Sequence, residues 1–65
     1  DALEDADRAL QIDGQSPWAW LRRGEALMGL NRWAEARQEF EMVLQLDPNG
    51  TAGASAREHI RVIDQ

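Results

Sequence analysis

An all-α fold is predicted by three observations. Apolar residues recur at helical spacing, proline and glycine gather at 14–17 and 47–50, and no stretch alternates apolar and polar residues over a strand's length. Four helices are expected. In the first, over 1–13, Ala2, Ala6, Ala9 and Leu10 form an apolar stripe opposite Glu4, Asp5, Asp7 and Arg8, with Gly14 as a left-handed cap. Ser16 then reads as an N-cap and Pro17 as a first helical residue, where its missing N–H is harmless. The second helix carries Trp20, Gly24 and Leu27 at i, i+4 and i+7 and should stop between Gly29 and Asn31, both tolerant of positive φ. Because Trp33, Ala36, Phe40, Val43 and Leu44 already form the next stripe, the connection is short and an antiparallel helix hairpin follows. Beyond Pro48-Asn49-Gly50 a last helix is expected from about Ala52 to Ile63, with a thin apolar line of Ala56, Ile60 and Ile63 and a weak start at Gly53.

Size and charge narrow the function classes. A chain of 65 residues makes one small domain that buries only ~60% of its unfolded surface, so its stability is thin or supplied by neighbours. Without cysteine it has neither a disulfide nor a thiolate metal site. Twelve acidic side chains against seven arginines give a net charge of −5, which repels phosphate backbones and anionic lipid and argues against nucleic-acid and membrane partners. No apolar run approaches the ~20 residues a membrane span needs, and no signal-peptide pattern is present. A soluble segment is expected, with the cytoplasm as default compartment. The chain opens at Asp1 inside a helical pattern and without an initiator Met, so it reads as a fragment.

A repeat is visible when the chain is shifted by 34 residues, which lays "LQID" at 10–13 over "LQLD" at 44–47. The same shift matches Ala2 with Ala36 and Arg23 with Arg57, and pairs Asp1, Asp5 and Asp7 with Glu35, Glu39 and Glu41. Within the middle segment stand Trp20-x2-Arg23-Gly24-x2-Leu27, then Ala36-x3-Phe40, then Pro48. That period and signature resemble the tetratricopeptide repeat (TPR) family. The resemblance implies one complete repeat at 17–50, preceded by the second helix of a partial repeat at 1–13 and followed by a C-terminal capping helix at 51–65. It implies a four-helix piece of a right-handed α-α superhelix. Gly24 and Ala36 are small enough to let the paired helices approach, while Trp20, Leu27 and Phe40 fill the space around them and Pro48 ends the pair. Departures from the pattern are Arg23 for Leu and Leu27 for Tyr, which leave the fold intact. Ala6 and Gly14 in the aromatic and proline slots make the first helix a leaner copy, and Ala54 and Glu58 in the Trp and Gly slots suit a polar terminal helix.

No catalytic constellation is present. His59 is the sole histidine, with no cysteine or carboxylate cluster set against it, so it is expected to be a plain helix-surface residue; the absence of lysine rules out a phosphate loop at Gly24 and Gly29. No cofactor, no metal and no enzymatic activity are expected. Glu4 with Arg8, Arg22 with Glu25, Arg37 with Glu41 and Glu58 with Arg61 have the spacing of solvated helix pairs; a docking site for a basic partner is the alternative reading of the acidic surplus.

The second helix has a further apolar face, formed by Trp18, Leu21, Glu25 and Met28 and flanked by Arg22. In TPR proteins the first helices of successive repeats line a concave surface that holds a peptide or partner helix. The resemblance therefore implies Trp18, Leu21, Arg22, Glu25 and Met28 as partner-binding residues; packing of Trp18 and Leu21 on the first helix is the open alternative. Some family members clamp terminal carboxylates with lysine, asparagine and arginine, but here only Arg22 fits that role, and Leu21 and Glu25 oppose it. The chain is thus expected to be a protein–protein interaction scaffold. Self-association as a homo-oligomer is the second expectation, because so short an array leaves a helix face uncovered, and a regulatory appendage of a larger enzyme is the third.

Overall fold

Residues 2–65 are described in a computed structural model; Asp1, with which the expected 1–13 segment opens and which pairs with Glu35 in the repeat, lies outside them. Among the described residues are four α-helices and no strand: α1 (Ala2–Ile12), α2 (Pro17–Gly29), α3 (Trp33–Leu46) and α4 (Thr51–Ile63). Each helix end has a local cause. Asn31 takes φ 62°, and the amide of Arg32 reaches Leu27 O at 2.9 Å while that of Asn31 reaches Met28 O at 2.9 Å, a left-handed closure that leaves three residues between α2 and α3. At the end of α3 the amide of Asp47 still bonds Val43 O, but Pro48 forces Asp47 out of helical geometry, to φ −144° and ψ 69°.

Two expected caps form differently. No glycine has positive φ, so Gly14 is not a left-handed cap; the turn after α1 is closed instead by the carboxylate of Asp13, which accepts from the amide of Gln15 at 3.1 Å. Ser16 has the extended backbone of an N-cap, yet its hydroxyl makes no capping bond. The turn is held from α2, where Trp20 Nε1 donates to Gly14 O at 2.8 Å. One period later Pro48 O accepts from Arg57 Nη1 at 2.7 Å. Ala54 has replaced the tryptophan there, and an arginine one turn further on reaches the corresponding carbonyl.

Consecutive helices run antiparallel and alternate ones parallel. Asp7 meets Arg23, Arg23 meets Glu39, and Arg37 meets Asp64, whereas Glu25 and His59, one period apart, meet side by side. The buried cluster consists of Leu21, Leu27, Ala36, Phe40, Val43, Ala52 and Ala56, with Leu3 of α1 and Trp20, Met28, Leu44, Ile60 and Ile63 packed around it. It therefore sits among α2, α3 and α4, and α1 adds only Ala6 to the fully buried residues. The tightest point is Gly24, where a methyl group would stand 2.5 Å from Cε1 of Phe40. Phe40 is fully buried and cannot yield without displacing its neighbours.

This contact predicts a coupled pair of substitutions. Gly24→Ala is expected to destabilise the chain by about 1–3 kcal/mol through overpacking, while Gly24→Ala combined with Phe40→Leu should lose less than the two single changes together. Urea denaturation of the four proteins measures this; strict additivity would show that the ring and the glycine are not in contact.

Candidate functional site

The expected binding residues separate into three environments. Trp18 is 48% exposed on the outer side of α2, and Arg22 and Glu25 are exposed one and two turns further on. Met28 is half-buried against the core. Leu21 is only 4% exposed and belongs to the same buried cluster as Ala52 and Ala56 of α4. It is a core residue, contrary to its expected place on an open groove: α4 carries small side chains there and comes close enough to cover it. Of the signature residues, Gly24, Leu27, Ala36 and Phe40 are buried, Trp20 is half-buried and Pro48 is exposed at the α3–α4 turn.

Arg22 and Glu25 line an open trough between α1 and α2, together with Ala2, Asp5, Ala6, Ala9 and Ala26, with a volume of about 630 Å³. It continues into an apolar hollow of about 280 Å³ bounded by Leu3, Gly29 and Leu30. Trp18, Leu21 and Met28 do not line either space. Sequence reasoning overlooked the contribution of α1. The signal was in the repeat, where Ala6 and Ala9 stand at the places of Phe40 and Val43, so two core-filling side chains are replaced by methyl groups.

Polar contacts order the surface around it. His59, expected as a plain surface residue, stacks on Phe40 with ring centres 4.8 Å apart, and its Nε2 lies 3.0 Å from Glu25 Oε2. Glu25 is thereby tied to α4, and no Arg22–Glu25 pair was found among the described residues; the expected Arg37–Glu41 and Glu58–Arg61 pairs do form. Arg37 also holds Asp64 in a two-pronged contact of 2.9 and 3.0 Å. Hydrogen bonding to Arg37 keeps the Asp64 carboxyl below its ordinary range, though both groups are open to solvent. Arg23 is the central charge of the fold. Its Nε lies 3.1 Å from Asp7 and 3.6 Å from Glu39, but the first contact is not aligned as a hydrogen bond and the second is too long for one, so Arg23 Nε and Glu39 Oε2 are buried without hydrogen-bond partners. Burial consequently pushes the Glu39 carboxyl above its ordinary 4.5 despite the Arg23 guanidinium, with Asp7 and Glu35 adding repulsion.

The described residues contain no group of three or more histidine, cysteine or acidic residues placed to hold a metal ion, and no helix among them is long and apolar enough to cross a membrane. What the surface offers is an apolar trough with a charged rim. A family model described as tetratricopeptide repeat matches residues 1–60. The chain belongs to the tetratricopeptide repeat family. It is similar over 51 residues to the peptidyl-prolyl cis-trans isomerase FKBP4 of Homo sapiens, at 41% identity, and to that of Bos taurus, at 39%. These matches cover 78% of the chain but 11% of either relative. No solved structure matches the chain significantly. As a TPR segment, the molecule is of a kind that generally mediates protein–protein interaction.

Two predictions follow from these environments. Leu21→Ala should cost about 2–5 kcal/mol of stability, whereas Trp18→Ala should change it by no more than about 0.5 kcal/mol; thermal melts decide, and equal losses would place both side chains in the core. The second concerns Glu39. The folded state holds its proton more tightly than the unfolded chain does, so stability is withdrawn as pH rises from the ordinary value of 4.5 through the raised folded value. Glu39→Gln should remove that part of the slope, leaving the variant at neutral pH no less stable than the parent. Urea midpoints from about pH 4 to about pH 8 measure it; an unchanged slope contradicts the assignment.

Proposed function

We propose that this chain is a protein-binding adaptor segment with no chemistry of its own, holding a peptide or partner helix on the side of α2 that carries Trp18, Arg22, Glu25 and Met28. The observation that carries the reading is the exposed tryptophan beside the rim of the open trough, a large aromatic anchor next to charged side chains. Membership of a family built for partner recognition supports it. In this reading residues 17–50 are one complete repeat, 1–13 the second helix of a partial one, and 51–65 a cap. The similarity to a short stretch of a proline isomerase favours a second role for the same surface, as a regulatory appendage joined to an enzyme. Self-association is the competing reading, favoured by the uncovered trough.

The test uses a photoreactive phenylalanine analogue in the intact chain. Placed at position 18 it is expected to give a discrete adduct with one protein, and placed at the exposed Gln45 of α3 it is expected to give none. Trp18→Ala should then weaken binding of that purified partner at least about fivefold without loss of helicity. Equal labelling from both positions, or unchanged affinity, contradicts the assignment. Sedimentation at high micromolar concentration separates the competing reading, which a strict monomer would exclude.

A further inference from the structure

The sequence holds two asparagines, Asn31 and Asn49, and the fold treats the amide that follows each of them differently. Asn31 closes α2 in the left-handed region at φ 62°, and the amide of the next residue, Arg32, donates to Leu27 O at 2.9 Å. Asn49 is exposed in the turn between α3 and α4. The next residue is Gly50, whose extended backbone, φ −95° and ψ −174°, makes it the N-cap of α4. Among the described residues no hydrogen bond was found to the Gly50 N–H or to the Asn49 carboxamide. With no Cβ on Gly50 to shield it, that nitrogen is both unbound and sterically open beside the Asn49 side chain.

Asparagine is a chemically labile side chain, and a free amide nitrogen one residue on is the nucleophile that attacks it. The Gly50 nitrogen gives its proton to solvent base and bonds to Cγ of Asn49. The Cγ–Nδ2 bond breaks, and Nδ2 leaves as ammonia after taking a proton from water. Water then opens the five-membered imide at one of its two carbonyls, so the whole conversion consumes one water and releases one ammonia. Opening at Cγ restores the backbone and leaves aspartate at 49. Opening at the main-chain carbonyl leaves isoaspartate, in which the backbone runs through Cβ and Cγ and is one atom longer.

The turn tolerates these two products differently. An aspartate at 49 places a carboxylate just ahead of the N-terminus of α4, where the helix dipole favours it. The extra backbone atom of isoaspartate has no room. A methyl group on Gly53 would run into the carbonyl oxygen of Asp47, so the first turn of α4 already rests on the end of α3, and Arg57 Nη1 holds Pro48 O at 2.7 Å across the same turn. Lengthening the 49–50 link lifts that first turn, and with it Ala52 and Ala56, the small residues of α4 that share the buried cluster with Leu21. We propose that Asn49 is a self-modifying site, converted through an imide with Gly50, and that its isoaspartyl form loosens α4 from the core.

The test ages the intact chain in mildly alkaline buffer beside a synthetic peptide of residues 46–53. Each asparagine is followed by peptide mapping and by labelling with an isoaspartyl carboxyl methyltransferase. Asn49 of the chain is expected to convert within about tenfold of the peptide's rate, because no structure has to open first, while Asn31 keeps its amide. Asn49→Gln, at an exposed position outside the proposed binding surface, should abolish the label and keep the melting curve of the unaged chain. The isoaspartyl form, separated by chromatography, should melt below both the unaged chain and Asn49→Asp, with faster amide exchange over 52–56. An Asn49 still intact when the peptide is fully converted, or equal conversion at Asn31, would overturn the assignment of the site. An isoaspartyl form that melts with the unaged chain, or a loss equalled by Asn49→Asp, would overturn its effect on α4.

Discussion

The close approach of α2 to α3 at Gly24 and Phe40 is the constraint on which the rest of the structure depends. A glycine inside a helix costs about 1 kcal/mol of helix propensity. Here it lets a fully buried aromatic ring lie against the helix backbone. With the ring in place, His59 stacks on it, Glu25 is drawn to His59, and α4 is set parallel to α2. Leu21 is then covered by α4. One packing decision therefore fixes which residues of α2 remain on the surface.

The two ends of the molecule handle the repeat differently. At the C-terminal end α4 has lost the inward signature: Glu58 and Arg61 stand where α2 has Gly24 and Leu27, and they pair with each other in solvent. At the other end α1 retains an apolar stripe but offers only methyl groups over much of it, and the space above them is open. Arg23, flanked by Asp7 and Glu39, ties α1 and α3 to α2 through charge, though its imperfect alignment and the raised Glu39 carboxyl make that link a weak source of stability.

Much of this was legible in the sequence because it depends on local chemistry. Pro17, Asn31 and Pro48 mark helix boundaries by fixing or permitting particular φ angles, and the structure places those boundaries within about a residue of the expected positions. The 34-residue period identified the family, to which the chain belongs. What was not legible depends on a neighbouring helix. A helical projection shows Leu21 and Trp18 on the same face, but only the position of α4 makes one core and the other surface. His59 looked isolated because its partners, Phe40 and Glu25, lie on other helices. Gly14 resembled a left-handed cap by type, yet Asp13 and Trp20 close that turn by side-chain bonds that a glycine count does not foresee.

The central claim is that the core lies among α2, α3 and α4 and that α1 is attached across an incompletely filled space. Amide hydrogen exchange measures this directly, since protection reports the free energy of local opening. The account predicts that the amides around Phe40 and Val43 exchange most slowly, through global unfolding, and that those of α1 around Ala6 and Ala9 exchange at least about tenfold faster. Equal protection of α1 and α3 would contradict it.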